Sequence, residues 1–316
     1  MKFKTLLFLI IFIILIPMIS NIYWPSEDNL PALVFVYDDG HQEDIELALP
    51  VHQKYEVPAV SAVNSSTIGN VNFLDKQDLL RLQNNGWEIA SHGKYHTALI
   101  YYSLKEGLNK CDQKITINNS NIIEPRYSYY IYDYIQKHGE VINFKKRLKT
   151  EGDAYFKLAD ELEHQYNKDS SYIMLTKKAM KKEIVESKKK LTAMGLDVNN
   201  FVYPYNGYTD PARSLVKDHY IFARGGPQNG QAFLDRFINY FPLQQYNLKG
   251  ISFENNEIDR QELAEILKTG AKEKSLLIFY AHTGNQNFST ERLEYIIKTA
   301  QKLKYNITTF NELMRK

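Results

Sequence analysis

The feature that most limits what this chain can fold into is an alternation of short, wholly apolar runs with segments of helical spacing. Ala32-Leu33-Val34-Phe35-Val36-Tyr37 opens the series, bounded by Pro31 and by Asp38-Asp39-Gly40. A run with no polar face reads as a strand buried on both sides. A helical segment around 43–55 leads to a second strand, Ala59–Val63. A further helix over 75–84 ends before Gly86 and is followed by the strand Trp87–Ser91. Later come the strand 200–203, the helix 210–218, the short strand 220–224, the helix 260–273, the strand Leu276–Tyr280 and the helix 290–303. Such βα repetition predicts an α/β fold, a parallel sheet or distorted (β/α) barrel, with functional groups at the carboxyl ends of the strands.

Between residues 97 and 172 the rhythm breaks. This stretch reads as an insertion within the one domain that spans 27–316. It holds a Tyr cluster (Tyr127, Tyr129, Tyr130, Tyr132, Tyr134), and its charged part, 144–167, reads as helix-like. Tyr130, Tyr132 and Tyr134 are spaced by two, so a strand would put them on one face, where they could line a polymer groove. Lys177–Lys190 reads as a lysine-rich helix, solvated on one side, with Ala179, Ile184 and Leu191 as its buried stripe.

At the amino terminus Lys2 and Lys4 precede an uncharged run from Thr5 to Ser26 that ends in Tyr23 and Trp24. Its length is close to the roughly 20 residues that cross a bilayer. Residues 1–26 are therefore expected to be a transmembrane anchor or uncleaved signal, with the remainder extracytoplasmic. Secretion after signal cleavage is the alternative, although Met18-Ile19-Ser20 makes a poor cleavage site. The net charge of +2, from 39 basic and 37 acidic residues, supplies no field to hold nucleic acid. The single cysteine, Cys111, excludes an intrachain disulfide and any multi-Cys metal site. Metal chemistry would have to use histidine and carboxylates.

Three separated pieces supply those groups: Asp38-Asp39-Gly40 after the first strand, His92-x-x-x-His96 after the third, and His282 after the strand Leu276–Tyr280. Each falls where strand ends converge. Two imidazoles and one carboxylate make a His₂Asp set that leaves a divalent ion open positions for water and substrate. Zinc suits the set, with cobalt, nickel or iron as alternatives. The other histidines, His41 among them, fall less cleanly at strand ends.

These residues resemble the polysaccharide deacetylases of carbohydrate esterase family four, whose domain is also that of the nodulation-type chitooligosaccharide deacetylases. Val36–Gly40 is similar to the family's first motif, Leu79–His96 to its second, Phe201–Gly207 to its third and Leu277–His282 to its last. The resemblance implies Asp39, His92 and His96 as metal ligands and Asp38 as general base. It also implies the Tyr205 backbone N–H as oxyanion donor and His282 as the acid that protonates the leaving amine. Pro204, Tyr205 and Arg224 would contact an N-acetylated polysaccharide or oligosaccharide substrate. The implied activity is metal-dependent N-deacetylation of a surface polysaccharide; the rival is a catalytically silent carbohydrate-binding domain on the same fold. Val202 stands where the family commonly has the Arg that pairs with the base, so either another cation, with Arg224 and Arg236 as candidates, tunes Asp38 or nothing does. The fourth motif's Asp and Trp have no clear counterpart, Asp235 being the candidate.

Overall fold

A computed structural model describes residues 30–149, 154–227, 234–254 and 258–313. The expected anchor, 1–26, lies outside these residues. Among the described residues no helix is long and apolar enough to cross a membrane.

The first sheet is entirely parallel. Its strands are β1 (Ala32–Asp39), β2 (Val60–Val63), β3 (Glu88–Ser91), β10 (Phe201–Val202), β11 (Ala223–Arg224), β12 (Ile251–Ser252), β13 (Leu276–Ala281) and β14 (Asn306–Ile307). Their order is β11-β10-β3-β2-β1-β13-β12, with β14 sharing the edge of β1 that β2 occupies farther along. The sheet is curved into a half-barrel, and a parallel bridge from Arg224 to Leu248 draws β11 toward the chain entering β12. Strands β1 and β13 pair from Ala32↔Leu276 to Tyr37↔Ala281, and nearly every residue in both is buried. That double burial is why they read as unbroken apolar runs.

Helices fill the crossovers. They are α1 (Leu49–Lys54, entered through a π-helical turn, Asp44–Ala48), α2 (Lys76–Asn84), α3 (Lys177–Ala193), α4 (Asp210–Lys217), α5 (Arg260–Lys272), α6 (Thr290–Lys302) and α7 (Phe310–Leu313). The helices expected outside the insertion are present within a few residues. Helix α2 starts where it does because Asp75 and Asp78 form a reciprocal capping box. The expected strand 220–224 shortens to Ala223–Arg224, and β12 and β14, two residues each, are too short to stand out by pattern.

The insertion departs from expectation. It is six antiparallel strands: β4 (Tyr102–Ser103), β5 (Lys114–Thr116), β6 (Ser128–Asp133), β7 (His138–Lys149), β8 (Ala154–Leu158) and β9 (Ser171–Leu175), ordered β4-β9-β6-β7-β8-β5. An antiparallel bridge between Leu104 and Ile117 joins the two ends of this order. The helix-like reading of 144–167 is thus wrong. Ile142, Phe144, Phe156 and Leu158 point inward while Asn143, Lys145 and Lys157 point out, a period of two that the density of charge concealed. Inside, Phe144 meets Phe156 with ring centres 4.5 Å apart.

Candidate active site and metal centre

The carboxyl ends of β1, β3, β10, β11 and β13 carry the chemistry. Asp39 ends β1 with a left-handed φ of 76°, which turns its side chain toward the histidines of the β3 loop. Its Oδ1 lies 3.6 Å from His92 Nε2 and 3.4 Å from His96 Nε2. Among the described residues Asp39, His92 and His96 are the group whose ligand atoms all lie within 4.8 Å of one another.

The donor chemistry fits a divalent cation. His92 Nδ1 is 2.8 Å from the Val202 carbonyl, and a carbonyl only accepts, so Nδ1 bears the proton and Nε2 keeps its lone pair for the cluster. Burial, reinforced by His92, pushes His96 down to about 4, so its imidazole is neutral at neutral pH and free to ligate. Burial works against ionisation of Asp39, but His41 and the surrounding imidazoles hold it well below the usual carboxylate range. Asn64 Nδ2 donates to Asp39 Oδ1 at 2.9 Å.

Asp38, one residue earlier, is buried. Arg224 donates to both of its oxygens, at 2.6 Å to Oδ1, and the two side chains are almost wholly buried. Burial opposes charge on Asp38, yet Arg224, with His92 and His282, keeps its carboxyl below the ordinary range. The guanidinium also donates to Asn206 Oδ1 and lies over the Tyr280 ring at 4.3 Å. Arg224 is the cross-strand register partner of Val202. On the adjacent strand, at the same level as Val202, Arg224 thus supplies a cation against Asp38. Arg236 instead lies near the Phe237 ring.

His282 follows β13. Its Nδ1 lies 2.7 Å from Glu254 Oε1, its backbone N–H donates to Glu254 Oε2, and its Nε2 faces Asp39 Oδ2 at 3.8 Å. Burial works against the charged imidazole, but the Glu254 carboxylate and then Asp38 raise it to about 9. Glu254 thus takes the place for which Asp235 was the candidate; Asp235 accepts from Tyr240 instead. Only the two-residue strand β12 precedes Glu254, so no sequence pattern marked it. His41 was also passed over: its Nε2 is 3.7 Å from Asp39 Oδ2 and its ring stacks on Phe73 at 5.0 Å.

The turn after β10 completes the site. Tyr205 and Asn206 are both left-handed, with φ of 55° and 60°, and the exposed Tyr205 ring lies 4.5 Å from His96. Asn206 Nδ2 donates to Tyr280 OH at 3.0 Å. Pro204 is buried beside the β3 loop, where a methyl group added at Gly93 would lie 3.5 Å from its Cγ. The insertion's tyrosines divide by face. Tyr127 and Tyr129 are buried, whereas Tyr130 and Tyr132 are half-buried and Tyr134 is exposed. Tyr130, Tyr132, Tyr172 and Tyr101 form a connected row with ring-centre spacings of 6.2, 5.8 and 4.7 Å.

A parallel α/β half-barrel with an Asp/His/His cluster at its strand ends defines the class of this protein. Residues 26–151 match the family model of polysaccharide deacetylase. No curated protein matches the chain. Among solved structures, a CE4 family pseudoenzyme from Bacillus anthracis shares the fold, with a TM-score of 0.50 at 9% identity over 90% of this chain and 66% of that one. The Xyl-CE4 domain of a multidomain xylanase from the hindgut metagenome of Trinervitermes trinervoides gives 0.49 at 13% identity, covering 90% of each chain. A family 4 acetyl xylan esterase from Clostridium thermocellum, in complex with a cobalt ion, gives 0.46 at 13% identity, again over 90% of each.

Proposed function

We propose that the protein is a metal-dependent hydrolase that removes N-acetyl groups from the sugars of an extracytoplasmic or cell-surface polysaccharide. The observation that carries this reading is the Arg224–Asp38 pair beside the Asp39/His92/His96 cluster. A grip on sugar needs no buried carboxylate held in its basic form next to metal-ligand geometry, which favours the hydrolase over the silent binding domain. Zinc is the first expectation, by the nitrogen and oxygen donor set, with cobalt, nickel and iron as alternatives.

When a divalent cation is held by Asp39, His92 and His96, it supplies Lewis-acid polarisation of the acetyl carbonyl and a more acidic water. Asp38 takes the proton of the attacking water, because Arg224 keeps its carboxyl ionised. The backbone N–H of Tyr205 stands to receive the developing oxyanion. His282, charged at neutral pH and oriented by Glu254, protonates the departing amine, which is otherwise a poor leaving group. The row Tyr101, Tyr172, Tyr132 and Tyr130 offers ring faces to a polymer; Tyr101 is five residues from His96, a reach of at most about 18 Å. The extracytoplasmic setting follows from the uncharged run Thr5–Ser26.

The test is acetate release from an N-acetylated oligosaccharide, with and without chelator. Chelation should abolish release and added zinc or cobalt should restore it. Release that ignores chelator, or no release with any of the four metals, defeats the proposal. For the tyrosine row, Tyr130→Ala with Tyr132→Ala should slow deacetylation of a long polymer and leave a dimeric substrate nearly unchanged. Equal losses on both would place those rings outside the binding path.

A further inference from the structure

Helix α3 is lysine-rich, and its buried face carries an anomaly. Met180, Ile184 and Leu191 form the apolar stripe, yet Glu183 and Ser187 lie in the same buried face. Glu183 is fully buried. A carboxyl group taken out of water must find its hydrogen bonds inside the protein. The partners of Glu183 are the loop that joins the two cluster histidines, Thr97 directly after it, and one tyrosine of the insertion.

Glu183 Oε2 accepts from the backbone N–H groups of Lys94 at 2.9 Å and Tyr95 at 3.0 Å, and Oε1 accepts from the Thr97 hydroxyl at 3.1 Å. The remaining donor is Tyr127 OH, from the insertion, 2.7 Å from Oε1. The loop lies close on the helix because residue 93 is glycine. A Cβ there would fall 2.9 Å from Glu183 Oε2, and the φ of +85° is one that side chains rarely adopt. One turn along, Ser187 Oγ donates to the Gly93 carbonyl at 2.8 Å. The chain between His92 and His96 is thereby fixed at its donors on one side and at a carbonyl on the other.

We infer that Glu183 is a positioning residue for the metal centre: it sets the separation of His92 Nε2 and His96 Nε2 by holding their connecting loop, and Tyr127 ties the insertion to the same carboxyl. The inference rests on the Asp39/His92/His96 reading of the site. Groups that orient ligands without touching the ion typically alter metal affinity by about 10- to 100-fold when changed. Glutamine is a disruptive replacement here, since its amide nitrogen would face donors where an oxygen now accepts.

The measurement is zinc affinity of the purified full-length protein, by competition with a chromophoric chelator and without substrate, together with the melting temperature of the metal-free form. Glu183→Gln should weaken zinc binding about 10- to 100-fold. Gly93→Ala, which leaves Glu183 intact but pushes the loop from it, should weaken binding as well, and Tyr127→Phe should do so less. These two variants keep the question open to measurement if Glu183→Gln does not fold. A merely structural role would lower the melting temperature and leave the affinity of the folded protein unchanged. Wild-type affinity in folded Glu183→Gln, or in both of the other variants, overturns the inference. Absence of zinc binding in the wild type would instead overturn the reading of the centre itself.

Discussion

Two buried carboxyl groups stand at opposite ends of the same sheet. Asp38, near the carboxyl end of β1, meets Arg224 and is held below the ordinary carboxylate range. Glu88, the first residue of β3, meets only neutral donors, Asn200 Nδ2 at 2.6 Å and the Asn311 N–H at 2.8 Å. Burial therefore pushes Glu88 up to about 7, against the pull of those hydrogen bonds. Desolvation alone keeps a buried acid protonated up to near neutral pH, and one guanidinium keeps it ionised instead.

The sharpest way to break this contrast is the same change at both places. Asp38→Asn should retain metal and lose about 10²- to 10⁴-fold in turnover, the usual worth of general-base catalysis. Wild-type turnover in that variant, measured on an amide substrate, would remove Asp38 from the mechanism. Next in size is Arg224→Met, which leaves Asp38 buried without its cation. It should cost about 3–5 kcal/mol in urea unfolding, as breaking a buried pair does, with activity surviving only at higher pH. A variant as stable as wild type, with an unmoved acid limb, would mean that Arg224 does not tune Asp38.

Glu254→Gln sharpens the other flank. His282 must carry its proton to act as an acid, so wild-type activity should fall as pH rises through about 9. Without Glu254 the fall should begin at lower pH, toward the unperturbed value of about 6.5. An unchanged alkaline limb would separate His282 from proton delivery. The smallest effect belongs to Glu88→Gln. A folded-state value raised above the unfolded one contributes stability below about 4.5 that is lost as pH rises through about 7. Relative to the variant, wild type should lose about 1–3 kcal/mol between pH 5 and 8, with turnover alike in both. Parallel pH slopes would show that Glu88 is not the neutral acid described.

Asp38, Asp39 and His282 were legible in the sequence because they end or follow the long apolar runs of β1 and β13, and His92 and His96 because they follow the third strand four residues apart. Arg224 was visible only as a candidate. Its role depends on β11 lying beside β10 in register, Val202 against Arg224, a tertiary fact that two-residue strands do not advertise. Glu254 and Asn206 were hidden for the same reason, as they lie on turns that follow very short strands. In the insertion, the density of charge at Lys145, Lys146, Arg147 and Lys157 imitated a charged helix, and only the inward Ile142, Phe144, Phe156 and Leu158 betray the strand period. Glu183 left a faint trace as an acid within an otherwise apolar stripe of α3.

The way the insertion joins the barrel has a further consequence. Its first strand, β4, pairs antiparallel with its last, β9, Tyr102 beside Ile173 and Ser103 beside Tyr172. Chain neighbours across such a pair sit about 4.5–5.5 Å apart. Entrance and exit therefore form a single doorway, and everything between Ser103 and Tyr172 hangs from it like a cartridge. A short hairpin turn could bridge that doorway without stretching the barrel, and a foreign module whose ends lie equally close could be hung there. The threads such an exchange would cut at the catalytic end include the hydroxyl of Tyr127 on Glu183 and the guanidinium of Arg126 over the Tyr95 ring.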